Sequence, residues 1–345
     1  MTDLSGKPDV ADLDMENQKA LHEEHPELMH YTGAAGLYGI VAGKTLWASH
    51  TAFLNDSEEV VGFLDRRLPM ILKPKIERHV AESSELTAMV KAASQQGCDL
   101  LDQQLKMFCA GFKKAQEETQ DHYVTSFCTA SDEDEWVSQH GLLSQWRGYG
   151  SGGGYAIVFD TKGLDFLLAN DAKIYHDSEE TLVFGNVQYD EGGEEVLFAH
   201  DKQLQQHIQC VQDEFVTCLR GHKCLEDYGA FDSVALLSAF LKHRGFKEEK
   251  EVRIVVGEPS PKIQLKIADQ VTTPFRKIHS FSRNGTAVPC IHLFEDQKLQ
   301  ALPIRRIIIG PHPDKLARKK SVEILLRDHK INAEVGVSDI PFRGR

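Results

Sequence analysis

The sequence has no uninterrupted apolar run approaching the roughly 20 residues needed to cross a bilayer, which predicts a chain without a transmembrane helix. Its opening residues, Met1-Thr2-Asp3-Leu4-Ser5-Gly6-Lys7-Pro8, lack the apolar centre of a secretory signal, and the chain stays polar and acidic through about residue 27. A cytoplasmic location is the expectation. No Cys-x-x-Cys occurs among the seven cysteines. Their odd number and irregular spacing argue against a disulfide framework. Most lie in apolar runs, where a thiol packs as a small hydrophobe, and a reducing compartment is the simplest inference. Positive charge is in short supply: 39 Lys and Arg face 52 Asp and Glu, a net charge of −13. Such a chain repels phosphate backbones at long range, so non-specific nucleic-acid binding is disfavoured.

Several catalytic signatures are missing as well. No Gly-Lys-Ser/Thr follows a glycine-rich loop, and no G-x-G-x-x-G follows a strand. There are 16 histidines but no H-E-x-x-H and no closed Cys/His cluster, and His222-x-Cys224 is only a fragment of one. No metal is therefore expected. Ser126 has no G-x-S-x-G around it, which leaves a hydrolase triad unsupported. Neither an internal repeat nor a low-complexity segment is present.

What is there reads as an α+β protein with a mixed, largely antiparallel sheet and two helical blocks. Residues 1–27 are expected to form a mobile N-terminal arm. Residues 28–345 are expected to form a single domain, with a helical insertion at about 74–119 broken at Gln96-Gly97. Strands are predicted over 28–31, 45–49, 123–128, 155–160, 183–189, 251–256, 263–267, 289–294, 304–309 and 335–337. Helices are predicted after Thr32, which can cap one bearing Leu37, Ile40 and Val41. Others are predicted from Asn55, over 193–221, over 234–243 and over 315–326. Asn55-Asp56-Ser57-Glu58 has capping-box spacing.

Three segments carry residue types suited to chemistry. His30-Tyr31-Thr32, at the end of the first strand, offers donors and acceptors for ribose hydroxyls or an amide. Capping by Thr32 and packing by Tyr31 are the plainer explanation. In Gln145-Trp146-Arg147-Gly148-Tyr149, the guanidinium can hold a phosphate or carboxylate through two parallel bonds. Trp146 or Tyr149 can stack on a base or nicotinamide ring. The neighbouring glycines let backbone approach a ligand. The plainer alternative is a tryptophan anchoring a turn. In Lys247-Glu248-Glu249-Lys250-Glu251-Val252-Arg253, strand alternation puts Glu249, Glu251 and Arg253 on one face, with Val252, Ile254 and Val256 toward the core. A solvated charge ladder competes with a functional carboxylate there.

The order of these segments resembles a widespread bacterial domain of unknown function. The pattern runs from His30-Tyr31-Thr32 through Leu46-Trp47-Ala48, Asn55-Asp56-x-Glu58, Ser126-Phe127, Leu143-Ser144-Gln145-Trp146-Arg147-Gly148-Tyr149 and Lys242 to Glu251-x-Arg253. It ends at Ser338-x-x-Pro341, so the resemblance covers roughly residues 28–342. More loosely, the front end resembles ADP-ribosyltransferases of the His-Tyr-Glu kind, with His30, then Trp47 or Ser49, then Glu251 in the three roles. No tyrosine stands clearly in the middle position, and Glu249 competes with Glu251.

That second resemblance implies an ADP-ribosyltransferase-like core with NAD as co-substrate, no metal and an unspecified acceptor. The catalytic residues would be Glu251 or Glu249 together with His30. A carboxylate near the ribose would stabilise an oxocarbenium-like transition state. His30, with Tyr31 and Thr32 beside it, would hold a ribose or the carboxamide edge. Arg147 would neutralise the pyrophosphate, and Trp146 or Tyr149 would cover a ring. A toxin or phage-defence effector is the expected setting. The competing expectations are a non-catalytic nucleotide or protein sensor using the same pocket, and a structural protein in which the three segments only cap and pack.

Overall fold

The computed structural model describes residues 20–54, 62–129, 135–149, 153–175, 182–190, 202–221, 228–269, 271–283 and 285–341. Residues 20–27, expected within the arm, are part of the fold. Helix α1 (Leu21–Glu24) and strand β1 (Glu27–Thr32) lie there. His25 Nε2 meets Asn186 Oδ1 at 2.9 Å, and Asn186 Nδ2 donates to Glu24 at 3.1 Å, which ties this segment down.

Helix α2 (Ala34–Gly43) follows and buries Leu37, Ile40 and Val41 as expected. Its N-cap is Gly33, without a side-chain cap bond, so Thr32 does not cap it. After β2 (Leu46–His50), a π-helical turn at Phe63–Arg67 leads into α3 (Leu68–Glu82), α4 (Ser84–Gln95) and α5 (Leu100–Thr119). The helical block thus starts before residue 74. It breaks twice, at Ser83, which the sequence did not announce, and at Gln96-Gly97 as expected, where Gly97 has φ +74°. Asn55 to Glu58 lie outside the described residues.

Strand β3 (Gln120–Thr129) is followed by two short helices, α6 (Glu135–His140) and α7 (Leu143–Tyr149). Then come β4 (Tyr155–Asp160), α8 (Thr161–Ile174), β5 (Leu182–Asn186) and β6 (Gln188–Asp190). Next are α9 (Lys202–Leu219), α10 (Tyr228–Ala239), β7 (Leu241–His243) and β8 (Glu251–Pro259). Residues 263–267 form helix α11 (Pro261–Ile267), not a strand: Pro261 at the first helical position presets the helical φ and lacks only an N–H that would go unpaired there. The chain closes with β9 (Ile278–Arg283), β10 (Thr286–Leu293), β11 (Ile304–Ile309), α12 (Lys315–Asp328) and β12 (Glu334–Val337).

Ten strands make one mixed sheet in which β12 pairs β11 in parallel and every other pairing is antiparallel. The short pair β6–β7 is parallel and separate. β3 is the branch point. Along one edge it pairs β8 throughout. Along the other, Tyr123 and Val124 pair β2, whereas Cys128 and Thr129 pair β1. The sheet therefore splits at residues 125–127, and one wing (β2, β10, β9) diverges from the other (β1, β4, β11, β12).

Side-chain alternation sorts the core into two faces. Leu28, Phe127, Ile157, Phe159, Val252 and Ile254 face α2, α8 and α12. On the opposite face lie two separate apolar clusters. One joins Met29, Tyr31, Cys128, Trp146, Ala156, Val158 and Ile308. The other packs α3, α5, α9 and α10 on Val124, Val183 and Val255. Cys218 is disulfide-bonded, which departs from the expectation of reduced thiols throughout. Cys98, Cys109, Cys128, Cys210 and Cys290 form no disulfide. Among the described residues no helix is long and apolar enough to cross a membrane.

Candidate functional site

The seam between those two clusters is filled by charge. Lys250 adopts a left-handed conformation, φ +42°, and ends the 3-10 turn Arg244–Glu249 just before β8 begins. Glu249 is therefore not a strand residue, and strand alternation does not place it beside Glu251. The turn instead folds both glutamates onto Lys242, whose Nζ donates to Glu249 Oε2 at 2.7 Å and to Glu251 Oε2 at 2.9 Å. Arg253 grips Glu251 with two bonds, Nε to Oε1 at 2.8 Å and Nη2 to Oε2 at 3.0 Å. Ser126, opposite Arg253 on β3, adds a side-chain bond to the carboxylate. The Glu251 backbone N–H donates to Tyr189 Oη at 2.8 Å, and Arg253 Nη1 donates to the Ala239 carbonyl.

This is no solvated ladder. Glu251 is 4% exposed, and Lys242 and Arg253 are buried with it. Burial opposes ionisation of Glu251, but Arg253 and Lys242 outweigh it and hold its pKa down to about 2. Burial opposes the charge on Lys242 as well, yet Glu251 and Glu249 leave its pKa raised. Glu251 is thus a saturated anion. Glu249, with 12% of its side chain exposed, meets Lys242 through one oxygen, and its other oxygen has no partner among the described residues.

Cys128 connects this network to α7. It lies opposite Glu251 on one side and Met29 on the other, which puts all three on one face. Burial and then the two glutamates push its thiol well up, so it stays protonated and is not a nucleophile at neutral pH. Tyr31 shares that face. Its ring meets Trp146 edge to face at 4.9 Å, and its hydroxyl accepts the Leu142 N–H at 2.8 Å. Trp146 is 1% exposed, and its Nε1 donates to the His140 carbonyl at 2.9 Å. Trp146 and Tyr31 are therefore anchors seating α7 on β1, not ring-covering groups. Exposed on α7 are Leu143, Arg147, Gly148 and Tyr149, the last 40% exposed.

His30 points the other way. Alternation along β1 sends it to the face of Phe127, whose ring it meets edge-on at 5.8 Å. Its Nδ1 lies 2.9 Å from the Ser126 carbonyl, an acceptor only, so Nδ1 carries the proton. Burial lowers its pKa, against the raising effect of that bond, and keeps the ring neutral. The expected convergence of His30, Arg147 and Glu251 is thus corrected. The Trp146-Arg147 segment and Glu251 share one face, and His30 occupies the split of the sheet on the other, because one residue along a strand reverses the face. Thr32 rests its hydroxyl against Gly36. Trp47 and Ser49 belong to the divergent wing, where Trp47 stacks on His292 and its carbonyl accepts from Thr125 Oγ1 at 3.1 Å.

Two contributors escaped the sequence reading. Tyr189 and Cys128 join the network only through strand pairings that no local pattern encodes. Lys242 did leave a signal, a lysine directly after the apolar run Leu236-Leu237-Ser238-Ala239-Phe240-Leu241.

The fold and the seam define an α+β protein with a buried ionic cluster beside an arginine-bearing helix. Residues 145–254 match the model of a family described as a protein of unknown function, DUF2971. The matched span begins on α7 and ends on β8, so it contains both sides of the seam and excludes His30. No curated protein and no solved structure matches the chain.

Proposed function

We propose that the chain is an NAD-consuming, ADP-ribosyltransferase-like enzyme whose dinucleotide lies across the seam between α7 and the Lys242 network. The observation that carries this reading is Glu249, a partly exposed carboxylate with one oxygen fixed by Lys242 and the other unspent among the described residues. That second oxygen suits a ribose 2′-hydroxyl and the positive charge that develops as the nicotinamide–ribose bond breaks. Nicotinamide leaves, and water or an acceptor nucleophile takes the ribosyl carbon. Glu251 serves as the fixed charge that orders Lys242. Arg147 meets the pyrophosphate and Tyr149 covers a ring. His30 stiffens the split of the sheet from the far face. Consumption of NAD fits a toxin or phage-defence effector.

The test is NAD loss by the full chain, followed by chromatography of nicotinamide and ADP-ribose. Glu249→Gln is expected to lower turnover by roughly 100-fold or more, with little change in thermal midpoint. Wild-type turnover in that variant, or a wild-type protein that neither consumes NAD nor is stabilised by it, sinks the proposal. Saturation of Glu251 by Arg253 and Lys242 favours a second reading, a non-catalytic nucleotide sensor. It predicts ligand-induced stabilisation without turnover.

A further inference from the structure

On the divergent wing, three side chains converge that the seam does not use. Strand register sets Trp47 opposite His292 and His279 opposite Cys290, so Trp47, His292 and His279 share one face of β2, β10 and β9. The two imidazoles lie parallel, 4.0 Å apart at 8°. Trp47 stacks on the outer side of His292 at 5.4 Å and 9°, which fixes that ring from behind. Phe294 then adopts a left-handed turn, φ +71°, and brings Glu295 back over the pair. Glu295 Oε2 stands 2.9 Å from His279 Nε2. The His292 ring has no hydrogen-bond partner among the described residues. All three side chains are half-buried.

From this geometry we infer a site for one divalent transition-metal ion of the zinc class, held by His279, His292 and Glu295. Two imidazoles and one carboxylate form a three-ligand set that leaves at least one position for water. Their ligand atoms lie within 4.8 Å of one another. Atoms bound to one zinc ion at about 2.1 Å each stand about 3.4 Å apart at tetrahedral angles, so closure draws the ligand atoms together by up to about 1.4 Å and turns the two imidazoles out of their parallel stack, which brings both lone pairs onto one ion. The ion would clip edge strand β9 to the turn after β10. No motif spacing announces the site, because its ligands come from two strands and a turn. It departs from the expectation of no metal, and it stands independently of the NAD reading.

The test is equilibrium dialysis of the chelator-treated full chain against zinc chloride, with elemental analysis, and a cobalt(II) absorption spectrum. One ion per chain is expected, with four- or five-coordinate cobalt bands and a rise in thermal midpoint as zinc is added. Glu295→Gln, a partly exposed isosteric change, should weaken binding at least 10-fold. The double variant His279→Gln/His292→Gln should abolish it while circular dichroism stays that of the wild type. Failure of the wild-type chain to bind a stoichiometric ion overturns the inference. So does binding by the Glu295→Gln protein at wild-type affinity, which would place the ion on other histidines.

Discussion

At the scale of single residues, the informative contrast is between Glu249 and Glu251. Both reach Lys242, but only Glu251 is gripped by Arg253 as well and shut away from water. A buried ion pair that loses one member leaves the other charge uncompensated, which costs about 3–5 kcal/mol. Glu251→Gln should therefore destabilise the protein by that amount in urea denaturation at pH 7. The pH dependence has a definite sign. The carboxylate ionises more readily in the fold, at about 2, than at its ordinary value of 4.5. Its contribution is complete above about pH 4.5 and is lost as the pH falls toward about 2. The stability gap between wild type and Glu251→Gln should narrow over that window. A gap unchanged between pH 7 and pH 3 would mean that ionised Glu251 is not its source.

At the scale of elements, α7 shows how a short helix is held where its propensity alone would not keep it. Gly141, φ +74°, precedes it, and a Cβ there would stand 2.8 Å from the Trp146 ring and 2.9 Å from Tyr31 Oη. Gly141→Ala should cost about 1–3 kcal/mol through strain and displacement. Gly148 sits inside α7 with open space around it. Gly148→Ala should be neutral or should stabilise by up to about 1 kcal/mol. Urea midpoints of the two variants check the contrast, and equal effects would refute it. The sequence announced much of this level: the strands at 28–31, 155–160 and 304–309, the break at Gln96-Gly97, and the inward phase of Val252, Ile254 and Val256. It hid what depends on one backbone angle or on partner strands. Lys250 has no reason in its own chemistry to turn left-handed, yet that turn decides where Glu249 goes. The opposed faces of His30 and Glu251 follow from alternation only once both are paired through β3. Edge strand β9 reads poorly because its outward positions, Ile278 and Ser280 among them, face solvent whatever their polarity.

At the scale of the molecule, β3 is the member on which everything else is hung. Its amides are enclosed by β8 along one edge and by β1 and β2 on the other, with apolar clusters on both faces. β9 pairs only β10, and its side chains alternate between half-buried and exposed. Opening β9 breaks one ladder and uncovers little apolar surface, whereas opening β3 requires dismantling both wings and the seam together. Protection should follow that order. In hydrogen exchange read by mass spectrometry, peptides covering Tyr123 to Cys128 and Val252 to Val256 should exchange only through global unfolding. Those covering Ile278 to Arg283 should exchange through a local opening of lower free energy. Glu251→Gln should accelerate the β3 and β8 peptides, because its cost falls on the global transition, and should leave the β9 peptides at their wild-type rate. Equal protection of β9 and β3, or equal acceleration of both in the variant, would show that the two wings open as one unit and that the split at residues 125–127 does not divide them.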